Sequence, residues 1–114
     1  MESDQKFDKF WDFYNYYLTE HQNPTSQTLH FIGTFIFITI VFTTIVSQKW
    51  TLLLAGPIAG YGFAWVGHFF FEKNKPATFK YPFYSLASDF VMFFHILTGQ
   101  LSKKMQVAKR EMGV

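Results

Sequence analysis

Two histidines sit inside long stretches that carry no formal charge, His30 within 22–48 and His68 within 50–71. An imidazole in an apolar segment of membrane length is costly, and it ordinarily faces a bundle interior, a partner or a metal. If Gln48 and Lys49 form a turn, His30 lies about 26 Å before it and His68 about 27 Å after it at helical rise. Antiparallel helices would bring both rings to one depth. His21 ends an apolar stripe ahead of them and can be carried inward to the same level. Three imidazoles with a carboxylate make a nitrogen- and oxygen-rich site suited to iron, zinc or manganese. The plainer alternative is that each ring is merely hydrogen-bonded in the interfacial zone.

Two carboxylates are candidates to complete such a site. Gly56, Gly60, Ala64, His68 and Glu72 recur at intervals of four; the small members let a neighbouring helix approach, and a His-x-x-x-Glu pair can reach one metal. Asp89 is the one formal charge of a later apolar segment. It either binds the metal or orients a ligand imidazole. His95, about 9 Å deeper and on another face, suits a bond to a neighbouring helix instead. Lys73, Lys75 and Lys80 cluster beside this level. They fit an anionic lipid headgroup or simple positive-inside bias.

These residues must be held by helices. Phe7, Phe10, Trp11, Tyr14, Tyr17 and Leu18 at spacings of three and four predict an amphipathic helix. It either lies on the bilayer surface or docks on the helical hairpin. Pro24 ends it and opens a second helix, capped by Asn23 or Thr25 and running to about Ser47. A third spans Trp50 to Glu72, with Gly56-Pro57 a possible kink. After a basic loop, Phe83 to Thr98 predicts a fourth apolar helix that is short for a full span, stopped by Gly99. The tail from Lys103 continues as a surface helix.

The expectation is an all-α fold: a single helical membrane domain over residues 1–114 with about four helices, two spanning as a hairpin. Residues 29–46 alone give 18 positions without charge, the length of a membrane helix, and 16 Phe, 6 Tyr and 3 Trp suit lipid contact. Lys49 is the only basic residue at the turn and the other nine of ten lie elsewhere. The turn therefore faces away from the cytoplasm and the histidine end faces it. A net charge of +2, with its basic residues scattered, does not suggest nucleic acid. The absence of cysteine removes disulfides, thiolate metal sites and thiol nucleophiles, and residues 1–10 lack a signal-peptide pattern. The row of small residues can pack helices within one chain or in a homo-oligomer.

His21-Gln22-Asn23-Pro24, His30 nine residues after His21, and Gly67-His68 leading through Glu72 to Pro76-Ala77 together resemble the Mpo-like family of small membrane proteins. The resemblance runs from about Tyr14 to Gly99. It implies an Fe(II)-dependent dioxygenase that uses O2 to shorten 2-hydroxy fatty acids by one carbon, as in phytosphingosine degradation. It also implies that His21, His30 and His68 are the catalytic iron ligands, and Glu72 matches the family's acidic position. The substrate would chelate iron through its hydroxyl and a carboxylate oxygen, with Lys73, Lys75 and Lys80 steering the carboxylate. Two other readings fit the residues: a b-type haem protein with axial histidines, and a non-catalytic lipid-binding scaffold.

Overall fold

The computed structural model describes residues 6–75 and 80–114, and among them every regular element is a helix. Helix α1 is Phe10–Thr19 and α2 is Pro24–Ser47. The third helical run begins as a 3₁₀ turn, Trp50–Leu54, continues as α3, Ala55–Val66, and widens into a π turn, Gly67–Glu72. Helices α4, Pro82–Leu97, and α5, Leu101–Met112, complete the chain. The stretches Pro24–Ser47 and Trp50–Glu72 are each long and apolar enough to cross a membrane.

Local chemistry sets the boundaries of α2. Pro24 occupies its first turn, where a missing N–H costs nothing. Asn23 caps it, its Oδ1 accepting from the Thr25 and Ser26 amides at 2.8 and 3.3 Å. At the far end Gln48 turns left-handed (φ 63°) and its N–H returns to the Thr44 carbonyl at 2.8 Å.

The chain then reverses, and α3 packs along α2 through small residues. A Cβ on Gly67 would meet Ser26 Oγ at 2.8 Å, one on Gly33 would meet Phe63 Cβ at 3.0 Å and the Gly60 carbonyl at 3.2 Å, and one on Gly56 would meet the Phe37 ring at 3.0 Å. Position numbers fall on one helix as they rise on the other, so the pairing is antiparallel. The four-spaced row of the third helix faces α2.

Helix α1 docks by its aromatic stripe. Phe13, Tyr17 and Leu18 are essentially fully buried, against Met92 of α4 and Met105 and Ala108 of α5. Each such side chain contributes about 1.5–3 kcal/mol by leaving water. The tail therefore departs from expectation. Leu101, Met105, Ala108 and Met112 form an apolar stripe at helical spacing, and α5 is a fifth helix whose stripe joins the α1 core rather than a surface appendage. The third run changes from a 3₁₀ turn to an α-helix at Leu54–Ala55, just ahead of Gly56-Pro57, and Pro57 falls in the first turn of α3.

Candidate metal centre

The loop between α1 and α2, the first third of α2 and the π turn each bring one imidazole to a common point. The offered ligand nitrogens of His21, His30 and His68 all lie within 4.8 Å of one another. The rings meet edge to face, with centroids 4.3 Å apart for His21 and His30, 4.4 Å for His21 and His68, and 5.1 Å for His30 and His68. Exposures of 0, 4 and 2 % close the cluster off from bulk water.

Each ring is oriented by a bond at its other nitrogen. His21 Nδ1 donates to the Tyr17 carbonyl at 2.6 Å, and His30 Nδ1 donates to the Ser26 carbonyl at 3.2 Å. A carbonyl can only accept, so both Nδ1 atoms carry the hydrogen. His68 Nδ1 lies 2.6 Å from Asn74 Oδ1, and Asn74 Nδ2 donates to the Glu20 carbonyl at 3.0 Å. That second bond fixes the amide orientation, so Oδ1 accepts and His68 Nδ1 also holds its hydrogen. Among the described residues no donor faces any of the three Nε2 lone pairs. Those of His21 and His30 face each other at 3.0 Å, a repulsive contact between acceptors unless a cation or proton lies between them.

A proton is the poorer occupant. Burial drives the His21 imidazole well below the ordinary histidine range, and the neighbouring rings push it the same way against the pull of the Tyr17 carbonyl. Three neutral, preoriented nitrogen donors fit a divalent transition metal, with carbonyl and amide acceptors fixing the tautomers as metal-ligand histidines require.

Neither carboxylate joins the cluster. Glu72 Oε2 accepts the Asn23 N–H at 2.9 Å, tying the end of the third helical run to the start of α2. The Glu72 side chain thus meets the exposed amides of a helix start, a favourable place for negative charge. Asp89 accepts from the Tyr17 hydroxyl. Tyr17 in turn stacks on His21 with centroids 4.1 Å apart and supplies the carbonyl that holds His21 Nδ1. Asp89 thereby touches the cluster through another residue. Its carboxyl is pushed by burial from 3.8 up to about 7, the Tyr17 bond pulling against this.

His95 is bonded to a neighbouring helix, its Nδ1 2.7 Å from the Tyr14 hydroxyl, and is not a member of the histidine cluster. Lys73 and Lys75 are exposed beside the π turn. Lys73 takes the left-handed conformation (φ 60°) that ends the turn, and the next amide, Asn74 N–H, returns to the His68 carbonyl at 3.0 Å. Lys80 is exposed on the far side of residues 76–79. Pro76 and Ala77 of the second motif lie outside the described residues.

Sequence reasoning did not find Asn74, Gln27 or Tyr17. Gln27 Nε2 donates to the His21 carbonyl at 2.7 Å and so pins the loop bearing that imidazole. An asparagine six residues after a candidate ligand, directly past a helix end, was the available signal for Asn74.

A cavity of about 170 Å³ adjoins the cluster, with His30, Thr34 and Asp89 in its wall and largely apolar residues elsewhere.

The family described as 2-hydroxy-palmitic acid dioxygenase Mpo1-like matches residues 7–101, and the chain belongs to that family. No curated protein and no solved structure matches the chain.

Proposed function

We propose that this chain is an Fe(II)-dependent dioxygenase of the membrane, shortening 2-hydroxy fatty acids by one carbon with O2. The observation that carries the reading is the trio of bare Nε2 atoms on His21, His30 and His68, each ring held by a hydrogen-bonded Nδ1. His21, His30 and His68 would hold the iron, which would supply the Lewis-acid and redox chemistry that a reaction between a 2-hydroxy acid and O2 needs. The family description supports the substrate class, a fatty acid bearing a 2-hydroxyl.

The remaining residues serve this site. Asn74, Gln27 and the Tyr17 and Ser26 carbonyls keep the ligand rings aimed. Glu72 holds the α2 start beside the π turn, and Asp89 positions Tyr17 under His21. Lys73, Lys75 and Lys80 attract the substrate carboxylate from the membrane surface. Helices Pro24–Ser47 and Trp50–Glu72 cross the bilayer as a hairpin, with the histidine end on the cytoplasmic side, because Lys49 alone is basic at the turn. Edge-to-face packing of the three rings leaves no slot for a porphyrin plane between any two of them, which favours mononuclear iron over haem.

The test is product formation. Protein purified in detergent and loaded with Fe(II) under nitrogen should convert 2-hydroxyhexadecanoic acid to pentadecanoic acid when O2 is admitted. His21→Ala, His30→Ala and His68→Ala should each form none. Undiminished product from any of the three, or none from the wild type, contradicts the proposal.

A further inference from the structure

The cavity beside the cluster lies between α2, α3 and α4 and is polar at one end. His30 and Thr34 occupy adjacent turns of α2 there, and Asp89 is tied to the same end through Tyr17, which stacks on His21. Away from them the wall includes Phe37, Gly56, Pro57, Gly60, Tyr61 and Phe90, the Tyr61 phenol being its one other polar group. From His30 to Phe37 the wall runs about 10 Å along α2, and from Ala64 to Gly56 about 12 Å along α3. A largely apolar slot is poorly suited to ordered water, which needs two to four polar partners. It is suited to a hydrocarbon chain.

Two residues control its bore. A Cβ added at Gly60 meets only Phe37 Cβ, at an ordinary 4.0 Å, so this position has room for a methyl where Gly56 and Gly33 face close contacts. Phe90 closes the slot from the other side, its ring centroid 5.9 Å from that of Phe37.

We propose that this cavity seats the hydrocarbon chain of the 2-hydroxy acid, polar end at the histidines, and that Gly60 and Phe90 set the accepted chain length. The inference rests on the dioxygenase reading for the identity of the acid. The slot runs directly from His30, so a molecule whose hydroxyl and carboxylate lie at the cluster threads its first methylenes between the helices rather than into open lipid.

Gly60→Leu fills the slot and Phe90→Ala widens it. Relative to wild type, Gly60→Leu should lower the ratio of kcat/KM for 2-hydroxyhexadecanoic over 2-hydroxyoctanoic acid by about tenfold or more. Phe90→Ala should raise that ratio or leave it while relaxing discrimination among longer acids. Iron content measured alongside separates a specificity change from a collapsed site. A binding readout without turnover uses Ala64→Cys in this cysteine-free chain: in iron-loaded protein under nitrogen, 2-hydroxyhexadecanoic acid should slow alkylation of the introduced thiol. Equal loss for both acids in Gly60→Leu with iron retained, or alkylation at the same rate with and without the acid, overturns the seat. If the acid protects the thiol but the wild type yields no shortened product, the seat stands and the dioxygenase reading falls.

Discussion

At the scale of single residues, the site is defined by which nitrogen of each histidine is committed. His68 depends on one side chain, Asn74, whose amide accepts from Nδ1 and is itself fixed by the Glu20 carbonyl. Asn74→Ala should therefore weaken metal binding by about 10–100-fold while leaving the helical circular dichroism unchanged; an unaltered iron affinity would remove Asn74 from the account. Asp89 makes a second prediction. Its folded carboxyl titrates near 7 rather than 3.8, so the folded chain holds this proton more tightly than the unfolded chain. That stabilisation is complete below pH 3.8 and is lost as the pH rises through about 7. The unfolding temperature of the wild type minus that of Asp89→Asn should accordingly fall between about pH 5 and about pH 8. A flat or rising difference would show that the carboxyl is not held in a desolvated environment. That His21, His30 and His68 converge while His95 bonds elsewhere was legible from spacing, because a ring in an apolar helix has few tolerable surroundings. Glu72 at the end of the third run and Asp89 about two turns into α4 stand near the depth expected of them, but spacing does not reveal that a helix start or a tyrosine hydroxyl competes for a carboxylate.

Between elements, the site depends on how closely α2 and the third helical run approach. Ser26 and Gly67 touch one turn from His30 and immediately before His68, so an added methyl at Gly67 meets Ser26 Oγ at 2.8 Å and Ser26 Cα at 3.3 Å. Gly67→Ala should destabilise the fold by about 1–3 kcal/mol and lower iron occupancy. Adding Ser26→Ala should restore part of both, since it removes the nearest of the clashing atoms; a double variant no better than Gly67→Ala would place the strain elsewhere. The helix starts and stops were readable: Asn23-Pro24, the Gln48 turn and the break after Leu97 fall within a residue or two of expectation. The π turn was not, because four-residue spacing cannot announce where a helix will widen. That widening buries Gly67 and His68 together, the first in close packing against Ser26 and the second in the histidine cluster. The fifth helix was also underestimated, since its four lysines and arginines dominate a stripe of only four apolar side chains.

For the whole molecule, the exposed surface of α2 and the third helical run carries Phe35, Phe42, Ile45, Val46, Leu54 and Ile58, an apolar belt that water would penalise and a bilayer accepts. The aromatic core of α1, α4 and α5 then serves as a cap that carries His21 onto the hairpin. In sealed vesicles of native orientation, Lys49→Cys should react with an impermeant thiol reagent only from the non-cytoplasmic side, and Lys103→Cys only from the cytoplasmic side. Reaction of both from one side would contradict the two-span arrangement. Iron analysis of protein reconstituted under nitrogen and freed of loose metal shows whether His21, His30 and His68 hold iron through their Nε2 atoms. One iron per chain in the wild type, and less than roughly a tenth of that in His30→Ala with its helical content intact, is the predicted result. A wild type that retains no iron, or a His30→Ala variant that retains it fully, would contradict the account.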